Sequence, residues 1–386
     1  MPRHYLDHAS TSPLRPAARD AMVEWLDAAA AGAVSDPGRI HVEGMTARGA
    51  LEQAREQVAA LLGARPREVV FTSGATESIA SATWGALGRG RHVVVPAVEH
   101  SAVRESSTAF AAARGGDVSI VGVDRQGRVD PDRVLAAVRS DTGLVHTQWA
   151  NHEVGTRQPV AEIVARGRAA GVLVHVDAAQ GVGHEPIDFA ALDADLLSMS
   201  AHKFGGPAGI GVLLVRRGLR LDPLLRGGDQ ERARRAGMEN LAAAVGLGAA
   251  AASLTPDRQA IEAADARRRT DRVLGALAEL PGVHGFGDPV DRVPHLVCLG
   301  IDGIEPQAVL LGLDQAGIAA HSGSACASEG LEDSPVLAAM GVDAHRSLRI
   351  SVGWSSTDAD IDALLATLPG VLDRLRALGR RPDPVA

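Results

Sequence analysis

Lysine is almost missing from this chain of 386 residues: among 39 basic residues Lys203 is the one lysine, and the other 38 are arginines. Arginine replaces lysine well in solvation and ion pairing, but its guanidinium stays protonated and makes a poor amine nucleophile. Codon drift and a chemical need for an amine at position 203 both account for such a pattern, and composition alone does not separate them. Aromatic residues are scarce too, ten in all, which leaves little for a base-stacking platform or the aromatic belts of a membrane protein. Two cysteines, Cys298 and Cys326, cannot frame a chain of this length with disulfides. There is no uncharged apolar run of about 18 residues, as a membrane span needs. Met1-Pro2-Arg3-His4-Tyr5-Leu6-Asp7 lacks the apolar run of a signal peptide. A net charge of −8 opposes non-specific binding to nucleic acid or anionic membrane. The expectation is a cytoplasmic protein with no membrane contact and no direct nucleic-acid contact.

Several catalytic fingerprints are absent as well. A Walker A loop needs Gly-Lys-Ser/Thr, and the sole lysine follows His202. His152-Glu153 and His184-Glu185 lack the second histidine of a zinc helix, so no metal centre is expected. No Gly-x-Ser-x-Gly elbow occurs. The glycine run 205–211 precedes a strand instead of opening a helix, which removes the dinucleotide fingerprint.

What is present is an ordinary globular balance, 46% apolar and 22% charged, in an alternating order. Strand patterns fall at Val69–Thr72, His92–Pro96, Val118–Val121, Leu144–Gln148, Leu173–Asp177, Leu196–Ser200 and Ile210–Val215. Alanine-rich amphipathic segments lie between them, at Ser101–Ala113, Asp130–Val138 and Val160–Ala170. This order predicts a mostly parallel sheet of seven strands covered on both faces, with the ligand site beyond the carboxyl ends of the strands. Residues 239–279 read as helical with a break at Leu254-Thr255-Pro256. From about residue 281 a smaller region follows, with strands near Leu296–Gly300 and Ser347–Val352 and helices near 305–316 and 358–378. The expected division is a large cofactor-binding α/β domain over 15–255 and a small α+β domain from 1–14 and 256–386. The tail from Arg380 to Pro384 is expected to fray.

Three stretches carry chemistry. Phe71-Thr72-Ser73-Gly74-Ala75-Thr76-Glu77-Ser78 runs from a strand through a glycine turn into a helix, where exposed amides and the helix dipole favour an anion. A capping box is the structural alternative. Val174-His175-Val176-Asp177-Ala178-Ala179-Gln180 delivers an acid and an amide at a strand end. Leu197-Ser198-Met199-Ser200-Ala201-His202-Lys203 delivers the sole lysine. Phosphate cradle, acid and amine together fit pyridoxal 5'-phosphate, which needs a lysine for covalent attachment and an acid beside its pyridine nitrogen.

With these residues in view, the sequence resembles the cysteine desulfurases, within the class V aminotransferase-like group of fold-type I pyridoxal phosphate enzymes. The likeness runs from Tyr5-Leu6-Asp7-His8-Ala9-Ser10-Thr11-Ser12-Pro13 to Leu348-Arg349-Ile350-Ser351-Val352-Gly353. It implies that Lys203 binds the cofactor covalently, that Asp177 pairs with its ring nitrogen and that Gln180 meets its phenolic oxygen. His100 would stack on the ring, and the Ala75 amide, Thr76, Ser200 and His202 would hold the phosphate. Arg349 would take the substrate carboxylate, with Asn151 at the substrate too.

His321-Ser322-Gly323-Ser324-Ala325-Cys326-Ala327-Ser328-Glu329 resembles the nucleophile loop of the branch whose motif reads Ser-Gly-Ser-Ala-Cys. The implied reaction converts L-cysteine to L-alanine, leaves a persulfide on Cys326 and passes sulfur to an acceptor protein. His100 would be the proton carrier for the thiol. The resemblance also implies a homodimer. It leaves open whether the sulfur serves iron–sulfur assembly, thiolation or another pathway. Cys298 reads as core. The alternatives are a related selenocysteine lyase or C–S lyase with Cys326 accessory, and a degenerate scaffold for sulfur carriers.

Four positions depart from the family pattern. His152 stands where an asparagine approaches the cofactor's phenolic oxygen. Met238 stands where a threonine reaches the phosphate of a partner subunit. Asp229 interrupts a glycine triplet, and Ile79-Ala80 replaces Asp-Asn.

Overall fold

A computed structural model describes residues 3–277, 279–323 and 333–379. Cys326 and the tail from Arg380, both singled out above, lie outside the described residues. The large sheet holds β1 (Val69–Thr72), β2 (His92–Pro96), β3 (Val118–Val121), β4 (Thr142–Gln148), β5 (Leu173–Asp177), β6 (Leu196–Ser200) and β7 (Gly211–Val215). Their spatial order is β1-β7-β6-β5-β4-β2-β3. All neighbours run parallel except β7, which is antiparallel to both β1 and β6. Every residue of β1, β2, β5, β6 and β7 is buried. That is why these strands read as near-continuous apolar runs and not as alternating ones.

Helices close both faces, and small residues set how near they come. The alanine-rich helix Leu241–Ser253 is capped by Asn240, whose side chain accepts from the Ala243 amide at 3.2 Å. It crosses helix Val42–Leu61 so closely that a Cβ on Gly248 would lie 2.7 Å from Ala54 Cα. Its apolar residues lie in the core, among them Leu241, Ala244, Leu247 and Ala250. No helix among the described residues is long and apolar enough to cross a membrane.

A second, three-stranded antiparallel sheet consists of β8 (Val283–Phe286), β9 (Leu296–Ile301) and β10 (Ser347–Ser351), with β9 in the middle. It has its own apolar core, in which Leu6 from the N-terminus joins Val273, Leu299, Ile350 and Leu368. His4–Tyr5 pairs in parallel with Ile318–Ala319. The turns after β1, β2, β4, β5 and β6 open on the same end of the large sheet. The N-terminal strip Asp7–Ser10 and β10 close over that end, since Ser351 accepts from and donates to the Leu6–Ala9 segment. The site follows from this closure.

Candidate active site

A cavity of about 570 Å³ lies at the carboxyl ends of the parallel strands. Its floor is the turn from β1 into helix Ala75–Ala86, where Gly74 is the N-cap and no side chain caps the helix. The amides of Ala75 and Thr76 therefore keep their donors, as the first turn of a helix leaves them without intrahelical partners. Ser200 and His202 line the same end. A Cβ on Gly211 would lie 2.6 Å from backbone atoms of Gly74, so glycine at the start of β7 lets this turn settle on the sheet. The capping alternative is half realised. Glu77 accepts from the Ser73 amide at 2.8 Å and pairs with Arg235 at 2.9 Å, bracing the turn without using the Ala75 and Thr76 donors.

Asp177 ends β5, and its Oδ1 accepts from the Ala179 amide at 3.1 Å and the Ser198 hydroxyl at 3.4 Å. Burial raises its carboxyl above the usual range, so a cation opposite it would relieve a real cost. Lys203 closes the short turn after β6, and Nζ donates to the carbonyls of Ala9 at 2.7 Å and Ser10 at 3.0 Å. Burial, then the nearby Arg349, bring its amine down to about 8, so roughly a tenth of it is neutral at pH 7.

His100 caps helix Ser101–Ala113, its Nδ1 accepting from the Ala102 amide at 3.1 Å. That bond fixes the proton on Nε2 in the neutral ring. Burial, helped by His152 and Lys203, pushes the imidazole down to about 3. His100 therefore presents an N–H donor at neutral pH, and can act as a base at Nε2 only after giving that proton away. The His152 ring meets it edge-on at 5.0 Å, and His152 Nδ1 is buried with no partner among the described residues.

Arg349 reaches in from β10. It donates to the His152 carbonyl at 2.8 Å, Asp7 Oδ1 at 3.0 Å and Ser10 Oγ at 2.7 Å. Gln180 donates to the Ala9 carbonyl at 3.0 Å, and its Oε1 lies 3.0 Å from His295 Nε2.

The cavity thus gathers Ala75, Thr76, His100, His152, Asp177, Gln180, Ser200, His202, Lys203 and Arg349. Asn151 is the correction. Its Nδ2 donates to the Val98 carbonyl at 3.0 Å, and Oδ1 accepts from the Glu153 and Val154 amides at 2.9 Å each. It is fully buried and does not line the cavity: the turn before Gly155 takes its Oδ1, and the Val98 carbonyl takes one of its N–H bonds. Cys298, on β9, is buried in a separate apolar cluster with Val98, Val154 and Leu337, where burial pushes its thiol up.

Sequence reasoning missed four residues. Asp7 and Ser10 sit in the quoted N-terminal stretch, but only the fold brings them to Arg349. His321 opens the cysteine motif and lines the cavity, with Nδ1 accepting from the Gly323 amide at 3.0 Å. Glu99, beside His100, is buried with Oε1 accepting from the Gln148 amide at 2.7 Å and Oε2 without a partner among the described residues. Burial, then Asp177, hold its carboxyl well above the usual range. Its neighbour's position was a signal.

The donor set fits a phosphorylated pyridine: amides and hydroxyls at one end, a lysine amine and a buried acid at the other. Comparison with known proteins points the same way. The family described as aminotransferase class-V matches residues 4–364. A cysteine desulfurase IscS of Methanosarcina thermophila is 38% identical over 379 residues, 96% of this chain and 92% of that relative. A solved NifS-like protein superposes with a TM-score of 0.88 at 31% identity, over 97% of this chain and 100% of that one. SspA in complex with cysteine superposes with a TM-score of 0.80 at 28% identity, over 92% of this chain and 100% of that one.

Proposed function

This chain belongs to the class-V aminotransferase family and has the function of its cysteine desulfurases, and on that premise we propose a residue-by-residue mechanism with pyridoxal phosphate as cofactor, L-cysteine as substrate and Cys326 as sulfur carrier. The observation that carries it is the chain's only lysine, set with a partly neutral amine in a cavity that the buried acid Asp177 also lines. The Ala75 and Thr76 donors, Ser200 and His202 would hold the phosphate. Asp177 would hold the ring nitrogen, and Gln180 and His152 would face the phenolic oxygen. When bound, the cofactor supplies an electron sink for the substrate's α-carbon.

The residues then divide the work. Arg349 holds the substrate carboxylate by a charge-assisted fork. Lys203 Nζ takes the α-proton, a role its depressed basicity suits. His100, on the cavity wall, would donate from Nε2 to the group bound there. Cys326 Sγ attacks the substrate sulfur: the Cβ–S bond breaks, a persulfide S–S bond forms on Cys326, and Cβ keeps the electron pair and is protonated to give alanine. The persulfide sulfur passes to an acceptor protein.

A homodimer belongs to this reading. Ile40 is 95% exposed and Met238 57% exposed in the single chain, the state expected of residues that a second subunit covers. A reducing compartment such as the cytoplasm suits a reactive thiol.

The test is incubation of the purified protein with L-cysteine, with alanine measured and the persulfide mapped by mass spectrometry. Alanine with a persulfide on Cys326 is expected. Unchanged sulfide release from the Cys326→Ala protein would overturn the carrier role.

A further inference from the structure

Behind the cavity, two buried imidazoles lie face to face. The His184 and His295 rings stack with centroids 3.6 Å apart and planes 9° from parallel. Each makes one hydrogen bond toward the site. His295 Nε2 is 3.0 Å from Gln180 Oε1, and His184 Nε2 is 3.2 Å from the Lys203 carbonyl. His295 is wholly buried, and its Nδ1 has no partner among the described residues.

The chemistry of the partners fixes every proton in this chain. The Ala9 carbonyl can only accept, so the Gln180 atom 3.0 Å from it is the amide nitrogen. The other amide atom, Oε1, then faces His295 and requires a donor there. His295 must therefore carry its proton on Nε2, with Nδ1 bare. By the same logic the Lys203 carbonyl requires His184 to carry its proton on Nε2. Both rings are neutral, since burial takes His184 down to about 3 and His295 well below its usual value. Two neutral rings stack in contact, which two cations would not do. A glutamine amide has two N–H bonds. One goes to Ala9, whose carbonyl also accepts from Lys203 Nζ at 2.7 Å. The other remains for whatever fills the cavity that Gln180 lines.

We propose that His295 is a positioning residue: its Nε2–H holds Gln180 Oε1 away from the cavity, so that the amide presents N–H, and never C=O, to the cofactor's phenolic oxygen. This rests on the reading that Gln180 meets that oxygen. His184 supports the ring from behind and ties it to the main chain at Lys203. Without the His295 donor, a buried amide oxygen is left unpaired and the amide can turn over, placing a lone pair against an anionic oxygen. The fold pins an otherwise two-way side chain. The uncompensated Nδ1 of His295 is the cost of this arrangement.

The experiment uses the holoenzyme and reads the visible absorption maximum of the bound cofactor and the dissociation constant of pyridoxal phosphate. His295→Leu is expected to shift the maximum and weaken cofactor binding about tenfold, the effect of one misplaced buried hydrogen bond. His295→Asn, which can offer an amide N–H to Gln180, is expected to restore both. In a Gln180→Ala background His295→Leu is expected to add nothing, because the two act through one contact. Thermal melting checks folding; if the leucine protein does not fold, His295→Met takes its place as a variant without a donor. A shifted spectrum in Gln180→Ala with a wild-type spectrum and affinity in the donorless His295 variant overturns the inference and leaves the Gln180 reading intact. A wild-type spectrum in Gln180→Ala overturns the Gln180 reading itself.

Discussion

Asp7 Oδ1 accepts from the Arg349 guanidinium at 3.0 Å, so the arginine assigned to the substrate carboxylate already holds a carboxylate of its own chain. Ser10 completes the arrangement, donating to Asp7 at 2.9 Å and accepting from Arg349 at 2.7 Å. An incoming carboxylate shares this cation with Asp7. Asp7→Asn should therefore lower KM for L-cysteine several-fold. Arg349→Lys, which loses the planar fork, should raise KM by roughly ten- to a hundredfold, the range for a charged hydrogen bond of about 1.5–3 kcal/mol. Steady-state alanine formation measures both.

Lys203→Arg keeps the positive charge and removes the reactive amine. The expected outcome is a folded, colourless protein with no desulfurase turnover. Because Lys203 is the only lysine, borohydride reduction of the wild-type holoenzyme should leave the cofactor mass on a single lysine-containing peptide. Retained turnover in the arginine protein would sink the assignment.

The same amine gives the cofactor-free protein a signature in its pH dependence. Lys203 titrates near 8 when folded and near 10.4 when unfolded. Between these values the unfolded chain binds the extra proton, so stability rises with pH across that window. The gain is about 3 kcal/mol, from a group that is almost wholly buried. Other groups titrate there with the opposite sign: burial raises the Cys298 thiol and the Tyr5 phenol in the folded chain, so both oppose part of the gain from Lys203. Urea unfolding of wild type and Lys203→Met at pH 7.5 and pH 10 should show the gain as a difference, the wild type rising relative to the methionine protein between the two pH values.

Ala233 has φ 59°, and Glu231 and Arg232 before it also lie in the left-handed region, with φ 48° and 58°. The turn is held by buried Glu231, which takes both Arg55 Nη atoms at 2.7 Å and the Phe71 amide at 2.9 Å. A left-handed conformation is costly for a residue with a Cβ. Ala233→Gly should stabilise the protein by about 1 kcal/mol, read as a higher melting temperature.

Met238 offers no hydrogen bond where the family pattern has a threonine reaching a partner subunit's phosphate. Met238→Thr should tighten pyridoxal phosphate binding about five- to tenfold. Equilibrium dialysis against the cofactor measures it, and unchanged affinity would count against the proposed dimer contact.

Much of the fold was legible because the strands of the large sheet announce themselves as short β-branched apolar runs between helical segments. Val69–Thr72, His92–Pro96, Val118–Val121, Leu173–Asp177 and Leu196–Ser200 stand in the structure with the bounds read from sequence. The reversal of β7 was not legible, since Gly211–Val215 has the same apolar pattern in either direction. Lys203, Asp177, His100 and the Ala75–Thr76 turn were legible because each follows a strand end. Asn151 misled because its local turn, and not the cavity, uses its amide.

The sequence by itself determined the chemistry available: one amine, one acid and one amide at strand ends, a glycine turn opening a helix, and a cysteine in a small-residue segment. Tertiary structure decided how those groups are held. Asp7 joins Arg349 across more than 340 positions of chain, and His295 meets Gln180 across 115. Contacts at such separations leave no local periodicity, for they arise only when distant segments of chain close over the same end of the large sheet. The near-absence of lysine marked where the reaction is placed; the packing of Ala9, Gln180 and a stacked pair of histidines fixed what Lys203 and the groups beside it can touch.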